Sequence, residues 1–169
     1  MLRGIALVLL LQAPATFAAA LEGRVVHVSD GDTLTVLDEH KRQHKVRLAG
    51  IDAPERRQPF GKRAAAELAS LVKNKMIVVD WNKADRYHRL IGVVWVAPPD
   101  CAICKPSIDV GLALVTDGLA WHYRAYERDQ PAGYRQQYRE AEAGARARHA
   151  GLWADAAPTP PWDWRRALR

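Results

Sequence analysis

Between Gly23 and Leu48 apolar residues return at every second position in three short bursts, each bounded by a polar turn, a period that helices cannot satisfy and that commits this stretch to β-structure. Val25, Val26 and Val28 run into a turn at Ser29, Asp30, Gly31 and Asp32, and alternation resumes from Thr33 to Leu37, which makes a hairpin with an acidic turn. A polar turn leads into a third strand, where Val46, Leu48 and Gly50 alternate with Lys45, Arg47 and Ala49; Arg47 therefore points away from the side chains of Val46 and Leu48. Pro54 biases Ala53 to an extended conformation, so Asp52 and Glu55 fall on irregular chain just past a strand end.

Phe60, Ala64, Leu68 and Leu71 recur at helical spacing and predict a first helix. Met76 to Trp81 and Leu90 to Val96 read as two further strands joined by a charged link. Ser107 or Asp109 can cap a second helix that ends at Gly118, and a third is predicted from Pro131 to about His149, with Gly151 as its stop. After Trp153 the chain is Pro-rich and expected to run extended, with Trp162 and Trp164 placed to pack back on the domain. Five short strands, one helix after the third and more helix at the end describe an α+β chain: a five-stranded Greek-key β-barrel of the OB type with about three α-helices.

The 169 residues, 49% hydrophobic and 26% charged, suit one globular core and exclude disordered and fibrous classes. A net charge of +6 favours acidic partners such as nucleic acid or an anionic membrane surface. The first residues have the layout of a secretory signal: Arg3, an apolar run from Gly4 to Leu11, a break at Gln12 and Pro14, then Ala18, Ala19 and Ala20. Cleavage after Ala20 is expected, giving an exported, periplasmic or secreted protein with no stable membrane association; an uncleaved anchor is the rival reading. The organisation is thus a signal at 1–20, a domain at 21–155 and a Pro/Trp-rich tail at 156–169. The two cysteines, Cys101 and Cys104, are too few for a disulfide scaffold, and an exported chain favours a disulfide between them over zinc, which lacks two further ligands, or free thiols.

Asp32 in the first turn and Asp52 and Glu55 after the third strand are oxygen ligands of the kind a hard divalent cation takes, and a meander of the first three strands would let the two segments meet. Solvated turn carboxylates are the bland alternative. Arg47 and Arg89 each adjoin a predicted strand, and a guanidinium can grip two oxygens of one phosphate, supplying charge to a pentacoordinate phosphorus transition state. Eight basic residues between Lys41 and Arg63 face only Asp52 and Glu55, a local excess suited to phosphate attraction. Among them Arg56, Arg57, Lys62 and Arg63 read equally as a solvated helix start.

The segments Asp30-Gly31-Asp32-Thr33, Val46-Arg47-Leu48 with Ile51-Asp52-Ala53-Pro54-Glu55, and Asp85-Arg86-Tyr87-His88-Arg89, in that order and spacing, resemble the staphylococcal nuclease (thermonuclease) family over roughly Gly23 to Trp153. The resemblance implies a calcium-dependent phosphodiesterase acting on DNA and RNA, built on an OB barrel. Asp32 and Asp52 correspond to its calcium (Ca2+) carboxylates and the carbonyl of Ala53 to a third ligand. Glu55 corresponds to the residue that orients or deprotonates the attacking water, and Arg47 and Arg89 to the arginines that hold the scissile phosphate. Attack on the 5′ side to leave 3′-phosphate ends is also implied.

Tyr87 matches a family position that touches the nucleotide, with Arg86 beside it; Tyr123 and Tyr126 are further candidates to flank a base, which would favour single strands. The sequence departs from the best-known member in three places: Ala53 replaces a threonine, His88 replaces a glycine and the segment from Glu55 to Phe60 is shorter. The reading is an exported nuclease of low sequence specificity, working as a monomer. Two rivals remain, an OB barrel that binds single-stranded nucleic acid without cutting and a structural domain whose basic face meets the cell envelope.

Overall fold

A computed structural model describes residues 19–101 and 103–168, so most of the expected signal peptide lies outside the described residues. In chain order the elements begin with strands β1 (Ala19–Val28), β2 (Thr33–Leu37), β3 (Gln43–Leu48) and β4 (Ile51–Asp52), then helix α1 (Gly61–Val72) and strands β5 (Met76–Ala84) and β6 (Leu90–Val96). They continue with β7 (Ile108–Asp109), α2 (Val110–Thr116), β8 (Trp121–His122), a 3-10 segment (Arg124–Asp129), α3 (Ala132–Ala147), a short 3-10 turn (Gly151–Ala154) and α4 (Pro161–Ala167).

Strand β1 pairs antiparallel with both β2 and β5, β2 continues to β3, and β5 continues to β6. The barrel closes where β3 and β6 pair in parallel, with Val46 opposite Leu90, Arg47 opposite Ile91 and Leu48 opposite Gly92. The result is a closed five-stranded OB barrel with helices packed around it, the architecture expected from the strand pattern. Bulges between Val25 and His27 in β1, and between Trp81 and Lys83 in β5, give the long strands the extra bend that closure requires. Val25, Leu34, Val36, Val46, Ile77, Val79 and Val94 fill the interior with Ala64, Leu68 and Val72 of α1, all essentially without solvent exposure.

Helix α2 is capped by Asp109, whose carboxylate accepts from the amide of Leu112 at 3.1 Å and from the hydroxyl of Tyr138 on α3 at 2.8 Å. Helix α3 ends at Ala147, two residues short of His149; the first left-handed residue behind it is His149, at φ 51°, and Gly151 follows at φ 56°. Cys101 and Cys104 are joined in a disulfide in the loop between β6 and β7.

The tail does not run extended. Pro161 stands at the first position of α4, where its missing amide costs nothing and its fixed φ favours the helix. Trp162 then lies flat on Tyr123, with centroids 4.9 Å apart and planes 4° from parallel, and edge-on to Trp121 at 5.5 Å. No helix among the described residues is long and apolar enough to cross a membrane.

Candidate active site

Three chain segments converge at one end of the barrel. The turn between β1 and β2 carries Asp30 and Asp32, and it sits tight against the loop after β4 because residue 31 is glycine: a Cβ there would stand 2.6 Å from the Cβ of Ala53 and 2.7 Å from that of Ala64. Pairing of Thr33 with Arg47 sets the β3 arginine beside this turn. At Gly50 (φ 70°) the chain leaves β3 in a left-handed conformation, and the two-residue β4 returns Asp52 beneath Arg47 while pairing with Trp121 of β8.

The side chains interlock. Arg47 donates to Asp32 at 2.7 Å and to Asp52 at 2.9 Å, and the other Asp32 oxygen accepts from the amide of Ala53 at 3.1 Å. Burial alone would favour a neutral Arg47, but the charges of Asp32 and Asp52 override it and hold the guanidinium protonated. The Asp52 side chain is completely buried, and burial, reinforced by Asp32, pushes its carboxyl up despite the guanidiniums it meets. Burial and the neighbouring Asp32 likewise raise Asp30 to about 6.

Glu55 lies at the rim. Its amide donates to the side-chain oxygen of Gln58 at 3.1 Å and its carbonyl accepts from the Gln58 amide at 2.8 Å, so the shortened loop is folded back on itself. Arg56 ties the same loop to the carbonyl of Ser29 at 2.9 Å. On the opposite wall Arg89 donates to Asp85 at 2.7 and 2.8 Å. The Asp85 carboxyl, which burial would raise, is lowered instead by hydrogen bonds from the amide and guanidinium of Arg89 and from the Tyr87 amide. Tyr87 is exposed, with Arg86 at 4.9 Å and Arg89 at 5.5 Å from its ring centroid.

Asp32, Arg47, Ala53, Glu55, Arg86, Tyr87, Arg89, Tyr123 and Tyr126 all line one open cleft of about 630 Å3, with Asp52 under its floor. Tyr126 tilts against Tyr123 at 4.9 Å and is exposed, whereas one face of Tyr123 is covered by Trp162. Cys101 and Cys104 do not line the cleft. His88 is exposed, at φ 59° in the turn that joins β5 to β6.

Two residues of the site escape sequence reasoning. Asp30 belongs to a motif segment yet reads as an ordinary turn residue. Arg165 of α4 donates to Asp52 at 2.7 and 3.2 Å and to Glu55 at 2.8 Å, from 110 positions further along the chain than Glu55. The clustering of Trp162, Trp164, Arg165 and Arg166 is the only hint the sequence offers.

Among the described residues no three Asp, Glu, His or Cys side chains converge to hold a metal ion by themselves. Two carboxylates, Asp32 and Asp52, and the backbone of Ala53 remain as oxygen donors. Such a set leaves most of the coordination sphere to water, which calcium and magnesium accept. Asp30, Asp32 and Asp52 place three carboxylates at this end of the barrel, and a hard divalent cation suits such oxygen donors.

A sequence model described as staphylococcal nuclease homologue matches residues 45–155. The chain is 40% identical over 166 residues to Protein ParB of Escherichia coli, covering 98% of this chain and 91% of that protein. It is 39% identical over 164 residues to a micrococcal nuclease of Shigella flexneri, covering 97% and 90%. A staphylococcal-like nuclease of Arabidopsis thaliana, CAN1, is 35% identical over 128 residues, which span 76% of this chain and 35% of the plant protein.

Proposed function

Because the chain belongs to the staphylococcal nuclease homologue family, and is a nuclease of that kind, we propose that it is a calcium-dependent phosphodiesterase that cuts DNA and RNA, preferably single strands, with low sequence specificity. The observation that carries this reading is one cleft lined together by Asp32, Arg47, Glu55 and Arg89, with the buried Asp52 bonded to Arg47.

Asp32, Asp52 and the carbonyl of Ala53 are the groups that would hold the cation. When bound, it supplies positive charge to the phosphate and acidifies an associated water. Arg47 needs no reorganisation to act, because Asp32 and Asp52 fix its fork; its remaining donors and those of Arg89 grip non-bridging phosphate oxygens and stabilise the charge that builds there. Glu55, on the open rim, takes the proton of the water that attacks phosphorus in line with the P–O5′ bond; that bond breaks, the 5′-oxygen departs and becomes the hydroxyl end, and the phosphate stays on the 3′-oxygen. A positioned carboxylate base contributes about 10²–10⁴-fold. Tyr87, flanked by Arg86 and Arg89, offers a face to a base, as does Tyr126.

The signal layout at the N-terminus supports export to the periplasm or medium. Ala19 and Ala20 pair with Trp81 and Asp80 at the outer end of β1, so cleavage after Ala20 trims two rungs and leaves the ladder from Leu21 to Arg24. We take the working unit to be a monomer, with residues 21–155 as the nuclease domain.

The test is incubation with single-stranded DNA and RNA in calcium, in magnesium and in chelator, with Glu55→Gln as control. Calcium-dependent cleavage that falls by two or more orders of magnitude in Glu55→Gln, with nucleic-acid binding intact, is the expected result. Binding without cleavage under every condition would replace this function with that of a binding module.

A further inference from the structure

Asp52 is fully buried and its two carboxylate oxygens are both occupied by guanidiniums: one accepts from Arg47 and Arg165, the other from Arg165 alone. Arg165 also reaches Glu55, so one side chain bridges the residue read above as a cation ligand and the residue read as the base. Hydrogen bonds that Arg165 donates to Asp52 and Glu55 outweigh partial burial and hold its guanidinium charged. Its fork is therefore the resident counter-ion of the catalytic carboxylates. Oδ1 of Asp52, which accepts from two guanidiniums, has both lone pairs taken, and a cation at Oδ2 would have to sit against the Arg165 charge.

Resting on the calcium reading, we propose that Arg165 and a divalent cation compete for Asp52, so that the C-terminal helix sets the cation concentration at which the site becomes active. The helix is built to present this arginine. Trp162, one turn earlier, is stacked on Tyr123, and the side-chain amide of Gln58, itself buried beside the Glu55 loop, donates to the carbonyl of Thr159 at 2.5 Å. These anchors keep α4 docked while the arginine side chain, 38% exposed, has room to leave. Arg165 lines not only the cleft but also a second groove of about 610 Å3 on its other side, with Ser29, Arg56 and Trp164. Displacement is a swing from one groove into the next, which requires no unfolding of the tail.

Isothermal titration of the purified protein with calcium alone, without nucleic acid, tests the competition. Arg165→Ala is expected to bind calcium at least ten-fold more tightly than the wild type, and Arg165→Lys, which keeps the charge but loses the fork, is expected to fall between them. Thermal unfolding of each variant in chelator establishes that it is folded before titration. Equal affinities, or weaker binding in Arg165→Ala, would overturn the competition while leaving the calcium site standing. Absence of calcium binding in both wild type and Arg165→Ala would overturn the site and the competition together; Asp32→Ala supplies that non-binding reference.

Discussion

Trp162 and Tyr123 lie face to face, 4.9 Å apart and within 4° of parallel, and through this stack the last helix of the chain is fixed to the residue that directly follows β8, the strand that pairs with Asp52. An aromatic pair contributes about 0.5–1.5 kcal/mol beyond the area it buries. Trp162→Ala is accordingly expected to lower stability by about 2 kcal/mol, the stack plus part of the lost apolar burial. It should also uncouple Arg165 from Asp52 and tighten calcium binding in the same direction as Arg165→Ala. Urea unfolding and calcium titration of the one variant measure both effects; a stability loss with unchanged calcium affinity would show that α4 holds Arg165 without the stack.

Arg47 and Arg89 have similar proposed roles and different structural burdens. Arg47 is the partner of two buried carboxylates, and removing one member of such a network costs about 3–5 kcal/mol. Arg47→Ala is expected to lose both activity and much of its stability in chelator. Arg89 pairs only with the partly exposed Asp85, so Arg89→Ala should keep its fold and lose about 2–4 kcal/mol of transition-state stabilisation. Thermal unfolding beside single-turnover kinetics separates the two; a well-folded Arg89→Ala with near-normal rates would remove Arg89 from catalysis.

His122 is buried against Tyr138, and neither ring nitrogen has a hydrogen-bond partner. Burial lowers its pKa; Glu127, 4.0 Å away, opposes that shift, and Arg124 and Arg139 reinforce it. The unfolded chain therefore binds a proton below about pH 6.5 that the folded chain resists, and stability falls as pH drops through that value. His122→Phe keeps the ring and removes the titration. Its stability profile is expected to be flatter between pH 5 and 7, with a larger gain over wild type at pH 5 than at pH 8, measured by urea midpoints; a parallel offset at both pH values would contradict the assignment.

His88 adopts φ 59° in the hinge between β5 and β6, a region that costs a side-chain-bearing residue about 1–2 kcal/mol and glycine nothing. Glycine's extra freedom in the unfolded chain takes back part of that. His88→Gly is expected to raise stability by about 0.5–1 kcal/mol, with activity within two-fold if the exposed imidazole does not touch substrate. A drop in nucleic-acid affinity without loss of stability would give His88 a phosphate contact.

The barrel was legible because its strands alternate with period two, and Arg47 fell on the outward side of β3 by that alternation alone. Asp32 and Asp52 lie within a single meander, so their meeting follows from the order of the strands. Two-residue β4 and β8 left no periodic trace; they exist only because the chain after β3 is pressed against the chain after α2. Arg165 was illegible for a deeper reason. A run of prolines before it reads as extended chain, Pro161 instead starts a helix, and periodicity carries no information about which carboxylate a distant arginine will meet.

Parallel pairing of β3 with β6 joins segments that lie far apart along the chain, and closing such a loop is among the slower events of folding. Arg47 and Arg89 come from those two edges of the seam. Neither hairpin alone holds both, so on the roles proposed for them hydrolytic competence requires the β3–β6 seam to be closed. With the roles proposed for Arg47 and Arg89, a chain in which β3 and β6 have not yet paired carries every side chain of the site and is expected to leave nucleic acids uncut.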